Sequence, residues 1–273
     1  MALKLIWPII VVAVIAYQQP AVVVSSYIDD DNPAFARLPI YPLILEGKFE
    51  QAISWLDRSI AKEPKNITYL ECRAQCFHAL KKYPQAIKDF TGCIALSQNN
   101  LYLHYDRGQA YSDMGSFDKA LEDYERVIQL AGTDKAQLKR FYRLKVNALE
   151  HLNRTADAEI WCSKILAIDS SNFEILSKRA GLRRKLGRTK EAIADYTSVL
   201  KSVPDDATML KQRGDTYCEA QEWKKAIADY SAAIVEEPEL AASIYGPRGK
   251  AYLKIGDSAK ANADLERAKK SKQ

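Results

Sequence analysis

The pentapeptide AIADY occurs twice in this chain, at residues 192–196 and 226–230. Two variants precede it, AIKDF at 86–90 and ALEDY at 120–124. Alanines that begin these and weaker segments are separated by 34, 34, 38, 34, 34 and 35 residues. The series comprises Ala52, Ala86, Ala120, Ala158, Ala192, Ala226 and Ala261. A period near thirty-four predicts a small supersecondary element, repeated so that each copy buries its apolar face against its neighbours.

Each copy is predicted to form two helices joined by a turn. An A-helix of about fourteen residues ends near a glycine, a B-helix follows, and several copies close at a proline, all ordinary stop signals. The glycines are Gly47, Gly115, Gly187 and Gly256, and the prolines are Pro64, Pro204 and Pro238.

The spacing of large and small residues resembles the tetratricopeptide repeat family. The family pattern places large or aromatic residues at positions four, eleven and twenty-four, small residues at eight and twenty, and proline at thirty-two. The copy at 207–240 supplies Leu210, Gly214, Tyr217, Ala226, Tyr230 and Pro238. The resemblance covers about residues 33–273 and implies an all-α fold, an α-solenoid that winds as a right-handed superhelix of about seven helix-turn-helix units. We number these repeats one to seven: 33–66, 67–100, 101–134, 139–172, 173–206, 207–240 and 242–273.

The resemblance implies that positions eight and twenty are where the two helices of a repeat approach most closely. Gly108 is thereby paired with Ala120, and Gly214 with Ala226. Close packing would offset the lost helix propensity of each glycine, about 1 kcal/mol.

Arginine at position seven and aspartate at position twenty-three occur together. The pairs are Arg73 with Asp89, Arg107 with Asp123, Arg179 with Asp195, Arg213 with Asp229, and Arg248 with Asp264. Repeats one and four lack both residues and carry Trp55 and Trp161 at position twenty-three. This joint presence predicts an ion pair between the two helices, since an unpaired charge there would be costly. A ligand-binding series of arginines is the alternative.

The resemblance also implies a concave groove, lined by A-helix residues, that binds a protein or peptide. The candidate partner-binding residues are Tyr102, Tyr105, Gln109, Arg140, Arg143, Asn147, Arg184, Lys185 and Lys211. The middle of this groove is basic, and the stretch KRAGLRRKLGRTK at 178–190 contains no acid. Three interpretations stay open: a solvated cationic face, a site for an acidic peptide or carboxylate, and contact with an anionic polymer or lipid headgroup.

Repeat four departs most from the pattern. Four extra residues, 135–138, precede it, and Val146 stands where a small residue belongs. It is predicted to be either a seam between superhelical segments or a specialised binding repeat.

The N-terminus carries an apolar run, LIWPIIVVAVIA at 5–16. As a helix it measures about 18 Å against a bilayer core of about 30 Å, which fits a signal sequence, whereas extension to Ile28 would span. Residues 1–28 are thus predicted to be a signal peptide or a single transmembrane anchor, followed by an acidic linker at 29–32. Lys4 before the run predicts a cytoplasmic N-terminus and exported, extracytoplasmic repeats in a periplasm or lumen. Anchoring with the repeats facing the cytosol is the alternative.

No sequence motif for catalysis is present: the three histidines lie in different repeats, and phosphate loops and nucleophile elbows are missing. Cys72 and Cys76 lack a second ligand pair at zinc-finger spacing, and a net charge of +5 is too mild to argue for nucleic acid as a partner. We therefore predict no enzyme and no metal or cofactor. The leading hypothesis is a scaffold or adaptor at or beyond a membrane that binds a protein or peptide, with an acidic partner as one option. The alternatives are a chaperone or cochaperone for unfolded clients, and a binder of anionic polymers or lipid headgroups.

Overall fold

The computed structural model describes residues 37–271, which form α-helices and one 3₁₀ turn and contain no strand. The predicted N-terminal helix at 1–28 and the acidic linker at 29–32 lie outside these described residues. Within 37–271 no helix has the length and apolar character needed to cross a bilayer. Contacts divide the chain into two compact bodies, one ending at Leu96 and the other beginning at Ser97.

Fourteen α-helices fill the described range, alternating as A- and B-helices. The first body contains α1 Tyr41–Leu45, α2 Phe49–Lys62, α3 Ile67–Ala79 and α4 Tyr83–Leu96. The second contains α5 Leu101–Asp113, α6 Phe117–Leu130, α7 Lys135–His151, α8 Thr155–Ile168, α9 Phe173–Lys185, α10 Thr189–Ser202, α11 Ala207–Glu219, α12 Trp223–Glu236, a 3₁₀ turn Pro238–Leu240, α13 Ala241–Lys254 and α14 Ser258–Lys270. Within each body consecutive helices pack on one another, so the prediction of an all-helical array built from helix pairs is confirmed for each body by itself.

The turn between A- and B-helix has the same backbone conformation in all seven repeats. One residue in each turn has a positive φ, between 56° and 82°. These residues are Gly47, Lys81, Gly115, Asn153, Gly187, Gln221 and Gly256. They follow the same separations as the alanine series, so the backbone repeats with the sequence even where the turn residue is not glycine.

The A-helices of repeats two to six begin at a side-chain cap. An asparagine or aspartate accepts a hydrogen bond from a backbone N–H of the first turn: Asn66, Asn100, Asp134, Asn172 and Asp206. Because Asp134 caps at Ala136 and Gln137, residues 135–138 form an additional first turn of α7. Each cap is worth about 1 kcal/mol of helix stability.

The A-helix of repeat one is much shorter than the fourteen residues expected. Among the described residues it comprises only the five residues of α1, with Pro42 in its first turn. Proline lacks an N–H and its ring clashes with the preceding turn, so the first turn is where a helix accommodates it at least cost. Pro39 and Pro42 therefore move the start of this helix to Tyr41.

Small residues lie where the helices of a repeat meet. All seven alanines of the series are fully buried, at 0% exposure. A Cβ placed on Gly108 would lie 2.8 Å from the Tyr124 ring, and one on Gly214 would lie 2.9 Å from the Tyr230 ring. The closest neighbour of an added Cβ is thus the tyrosine at position twenty-four. The predicted neighbour at position twenty is farther away, since the Ala226 carbonyl oxygen lies 3.4 Å from a Cβ on Gly214.

Candidate functional site

The five arginines at position seven bind the aspartates at position twenty-three with the same bidentate geometry. In each repeat Nε and Nη2 of the arginine donate to the two carboxylate oxygens, over 2.7–3.0 Å. The aspartates are buried, and the hydrogen bonds that Arg107 and Arg213 donate to Asp123 and Asp229 raise the pKa values of these arginines above the usual value. These forks tie the A-helix of each repeat to its B-helix and leave the arginines occupied.

The remaining Nη1 group of four of these arginines reaches into the preceding repeat. It donates from Arg73 to Asp57 over 2.6 Å, and from Arg213 to Thr197 over 3.2 Å. The same contact joins Arg179 to Ser163 and Arg248 to Ser231. Every acceptor stands at position twenty-five of its repeat, a regularity that comparison of the repeats would have revealed but that our sequence analysis missed. The arginines therefore link successive repeats as well as the two helices of one repeat.

Repeat four makes the corresponding contacts with other chemistry. The Nζ of Lys145 donates to Glu125 over 2.6 Å, and Glu125 is again at position twenty-five of the preceding repeat. The same ammonium lies 4.3 Å from the centre of the Trp161 ring, which stands at position twenty-three. A cation–π contact thus replaces the arginine–aspartate fork.

Two of the predicted groove arginines bind side chains on neighbouring A-helices. Arg140 of α7 donates to the Tyr105 hydroxyl of α5 over 2.7 Å, and its guanidinium lies 4.6 Å from the centre of that ring. Arg143 of α7 donates through Nη2 to the carboxylate of Glu174 in α9. These contacts run from one A-helix to the next along the predicted binding face.

The same arrangement continues between α9 and α11. Arg184 donates to Glu219 over 2.7 Å and lies 3.7 Å from Asp215, and Lys211 reaches Asp215 over 3.4 Å. Burial by itself would lower the pKa of Arg184, but the hydrogen bond that it donates to Glu219, together with the charges of Glu219 and Asp215, raises that pKa above the usual value. The structure thus brings Arg184 and Lys211 together around one shared acid, Asp215.

The basic stretch 178–190 carries much less free charge than its sequence suggests. Besides Arg179 and Arg184, Lys178 binds Glu150, while Arg183 and Arg188 both bind Glu159. Arg183 also contacts Asp195 over 2.8 Å. Only Lys185 and Lys190 of this stretch have no acidic partner within residues 37–271. The acids come from other helices, so a count along the stretch could not find them.

The remaining predicted groove residues offer exposed or oriented polar groups. Tyr102 is 53% exposed. The amide oxygen of Gln109 accepts from the buried Tyr124 hydroxyl, and that of Asn147 accepts from Lys178 over 3.4 Å. With their oxygens held in this way, the two amides keep their NH₂ groups as donors.

Two open clefts lie on the face formed by these A-helices. One, of about 430 Å³, is lined mainly by α7, including Arg140, Arg143 and Asn147. The other, of about 330 Å³, lies between α7, α9 and α11 and includes Lys178, Gly181 and Lys185. Clefts of this size suit side chains or a short chain segment.

In the described part of the chain, no group of three or more His, Cys, Asp or Glu side chains is placed to hold an ion. Cys72, Cys76, Cys93 and Cys162 are buried, and burial raises the pKa of the Cys162 thiol to about 12. That thiol is therefore neutral and packed as a small apolar side chain.

Two curated relatives resemble parts of this chain. The mitochondrial import receptor subunit TOM70 of Rattus norvegicus is 29% identical over 108 residues, which are 38% of this chain and 18% of that protein. DnaJ homolog subfamily C member 7 of Homo sapiens is 28% identical over 162 residues, covering 58% of this chain and 30% of that protein. The matched part spans less than a third of either relative.

The helical arrangement matches solved structures as well. YrrB, described as a TPR protein with an unusual peptide-binding site, shares 15% identity with this chain. The match covers 67% of this chain and 92% of YrrB at a TM-score of 0.54, which shows a common fold. Two models described as Tetratricopeptide repeat match the sequence at residues 102–134 and 178–242. The sequence matches establish tetratricopeptide repeats at residues 102–134 and 178–242, and the structural match shows the same helical fold.

Proposed function

We propose that this chain is a non-catalytic scaffold or adaptor that binds a protein or peptide segment along the face formed by α5, α7, α9 and α11. The observation that carries the proposal is the pair of open clefts, about 430 and 330 Å³, on this face. The import-receptor relative and the peptide-binding site named for YrrB are consistent with it.

The polar side chains of this face are held before a partner arrives. Tyr105 and Arg140 bind each other, as do Arg143 and Glu174. Fixing side chains in the free protein lowers the ordering cost of binding, which is about 0.5–1.5 kcal/mol for each long side chain. The face therefore suits recognition of one defined segment.

We favour a protein or peptide over an anionic polymer because, within residues 37–271, few cations of this face lack an acidic partner. An acidic partner would meet Lys185 directly, whereas Arg143 and Arg184 would have to leave Glu174 and Glu219. Each cation that neutralises a nucleic-acid phosphate contributes about −0.7 to −0.9 to the slope of log K against log salt. Affinity for single-stranded DNA should accordingly be weak, and a steep salt slope would favour the polymer alternative.

A second candidate is a cochaperone that holds unfolded clients, favoured by the DnaJ relative. The two candidates differ in selectivity. A scaffold should bind one partner saturably, whereas a client-binding protein should bind reduced, unfolded lactalbumin and many other unfolded chains with similar affinity. Isothermal titration with reduced lactalbumin, with the folded protein as control, separates them.

For residues 1–28 the proposal is a signal peptide or membrane anchor that places the repeats outside the cytoplasm. Its support is the apolar run at 5–16, Lys4 before it and the aspartates after it. N-terminal sequencing of the mature protein from fractionated cells tests this directly. An intact N-terminus in a soluble cytosolic fraction would contradict the proposal.

Site-specific photo-crosslinking tests the binding face. A photoreactive benzoylphenylalanine is placed at Asn147 on α7, which is exposed, or at the exposed Lys201 on α10 as the matched control. We expect one saturable adduct from position 147 in the native cell and none from position 201. The same set of adducts from both positions would show that this face is not the binding site.

A further inference from the structure

Repeat five differs from its neighbours at the ninth position of the repeat, which lies on the A-helix. Repeats three, four and six carry Gln109, Asn147 and Asp215 there, whereas repeat five carries Gly181. The missing side chain lies on the proposed binding face, where the smaller cleft includes Gly181 in its lining. The face thus has a gap at one defined point.

Packing does not require glycine at this position. A Cβ on Gly181 would meet only the Tyr196 hydroxyl, at 3.8 Å, which is an ordinary contact. At Gly214 the equivalent Cβ would lie 2.9 Å from a buried ring. Glycine also weakens a helix relative to alanine. Gly181 therefore lowers helix propensity without a packing reason, and its effect is to open space on the binding face.

The recess left by Gly181 has room for a large side chain. Its cleft measures about 330 Å³ and includes Leu182 and Met209. Beneath the glycine, the buried Tyr196 hydroxyl donates to the amide oxygen of Gln212 over 2.7 Å, which satisfies both groups. An enclosed apolar cavity of about 150 Å³ accommodates benzene, and the open cleft that includes Gly181 has about twice that volume, so it has room for one aromatic ring.

Most charged side chains that line the cleft around Gly181 already have a partner of opposite charge within the protein. Glu150 binds Lys178, and Glu174 binds Arg143. Lys185 is exposed and has no acidic partner within residues 37–271. The one charge left for an incoming group is therefore positive.

Building on the proposed function, we propose that the Gly181 recess is an anchor pocket for one aromatic side chain of the bound segment, with an acidic residue beside it that pairs with Lys185. The partner is an extended peptide segment of this composition. Apolar burial supplies affinity at the recess, and the ammonium selects the charge of the flanking residue.

The substitution Gly181→Leu fills the recess without a clash at its Cβ. Gly92→Leu in the B-helix α4 is the matched control, since a Cβ there meets nothing within 4 Å. Random dodecapeptides displayed on phage are selected against the full chain, and the winning peptides are synthesised. We expect selected peptides to contain an aromatic residue beside Asp or Glu. Gly181→Leu should weaken their binding about 10- to 100-fold, the loss expected for one buried aromatic side chain, and Gly92→Leu should leave it unchanged.

The outcomes separate this proposal from the function on which it rests. Lys185→Glu should weaken the binding of peptides that have an acidic residue beside the aromatic one. It should strengthen the binding of peptides in which that acidic residue is replaced by lysine. Some selected peptides could block photo-crosslinking from position 147 and yet bind Gly181→Leu as tightly as the wild type. That result would overturn the anchor pocket and leave the proposed binding face standing. A selection without any binder would contradict both. Circular dichroism of each variant shows that the fold is retained.

Discussion

Replacing Arg213 and Asp229 singly and together tests the link that recurs through the repeats. Arg213 donates two hydrogen bonds to Asp229, over 2.7 and 2.8 Å, and a third to Thr197. Removing one member of a buried ion pair costs about 3–5 kcal/mol, because a charge is left without its partner. The Arg213 side chain keeps 17% of its exposure, so water partly compensates.

We therefore expect each single alanine variant to lose about 3 kcal/mol of unfolding free energy, the lower end of that range. The double variant should lose about 4 kcal/mol, which gives a coupling energy of about 2 kcal/mol. Urea unfolding of the full chain, followed by the helical circular dichroism signal, measures all four proteins. Lys225→Ala, which removes an exposed pair with Glu222, is the control and should change nothing measurable. Strictly additive losses would refute the pairing as an energetic link.

The remaining predictions concern packing, backbone conformation and pH. Gly214→Ala should lower the unfolding free energy by about 1–3 kcal/mol because the added methyl group overpacks the contact with Tyr230. Gly181→Ala should raise it by about 0.5–1 kcal/mol because alanine favours the helix and meets only an ordinary contact. Equal effects of the two substitutions in urea unfolding would contradict this account. Gln221 has a φ of 60°, so Gln221→Gly should gain up to about 1 kcal/mol by relieving the left-handed conformation, and a loss of stability would contradict this. Burial raises the pKa of Tyr196 from 10.0 to about 12. In that interval the folded chain keeps a proton that the unfolded chain has lost, so stability should fall as pH rises from about 10 toward 12, and Tyr196→Phe should flatten the fall measured by urea unfolding.

The internal period of the sequence was sufficient to predict the helical repeats. The alanines at position twenty and the residues at position eight are constrained by contacts within one repeat, so their spacing reports the fold directly. The turns show the same logic, because Lys81, Asn153 and Gln221 adopt the conformation of the glycines that replace them elsewhere. Pro42 shows the limit: its local effect on α1 overrides the pattern of the other repeats.

The binding face was less accessible to sequence reasoning. Arg143 and Glu174 lie 31 residues apart, and Arg184 and Glu219 lie 35 apart. Pairs at such separations depend on how neighbouring A-helices face each other, so a basic stretch cannot be taken as free charge. Gly181 escaped attention for a related reason: a missing side chain gives no signal until the space around it is known.

The Nη1 contacts have a consequence for how such a chain changes in length. Arg213 finds its acceptor at position twenty-five of the repeat before it, and the repeat 207–240 itself offers Ser231 at that position. A tandem duplication of this repeat would therefore give the arginine of the new copy a suitable acceptor without any further mutation. Lys145 is matched to a carboxylate, Glu125, so a duplicate of repeat four would instead meet Ser163. The Nη1 contact therefore permits duplication of repeat 207–240, whereas a second copy of repeat four would lose the carboxylate that Lys145 binds.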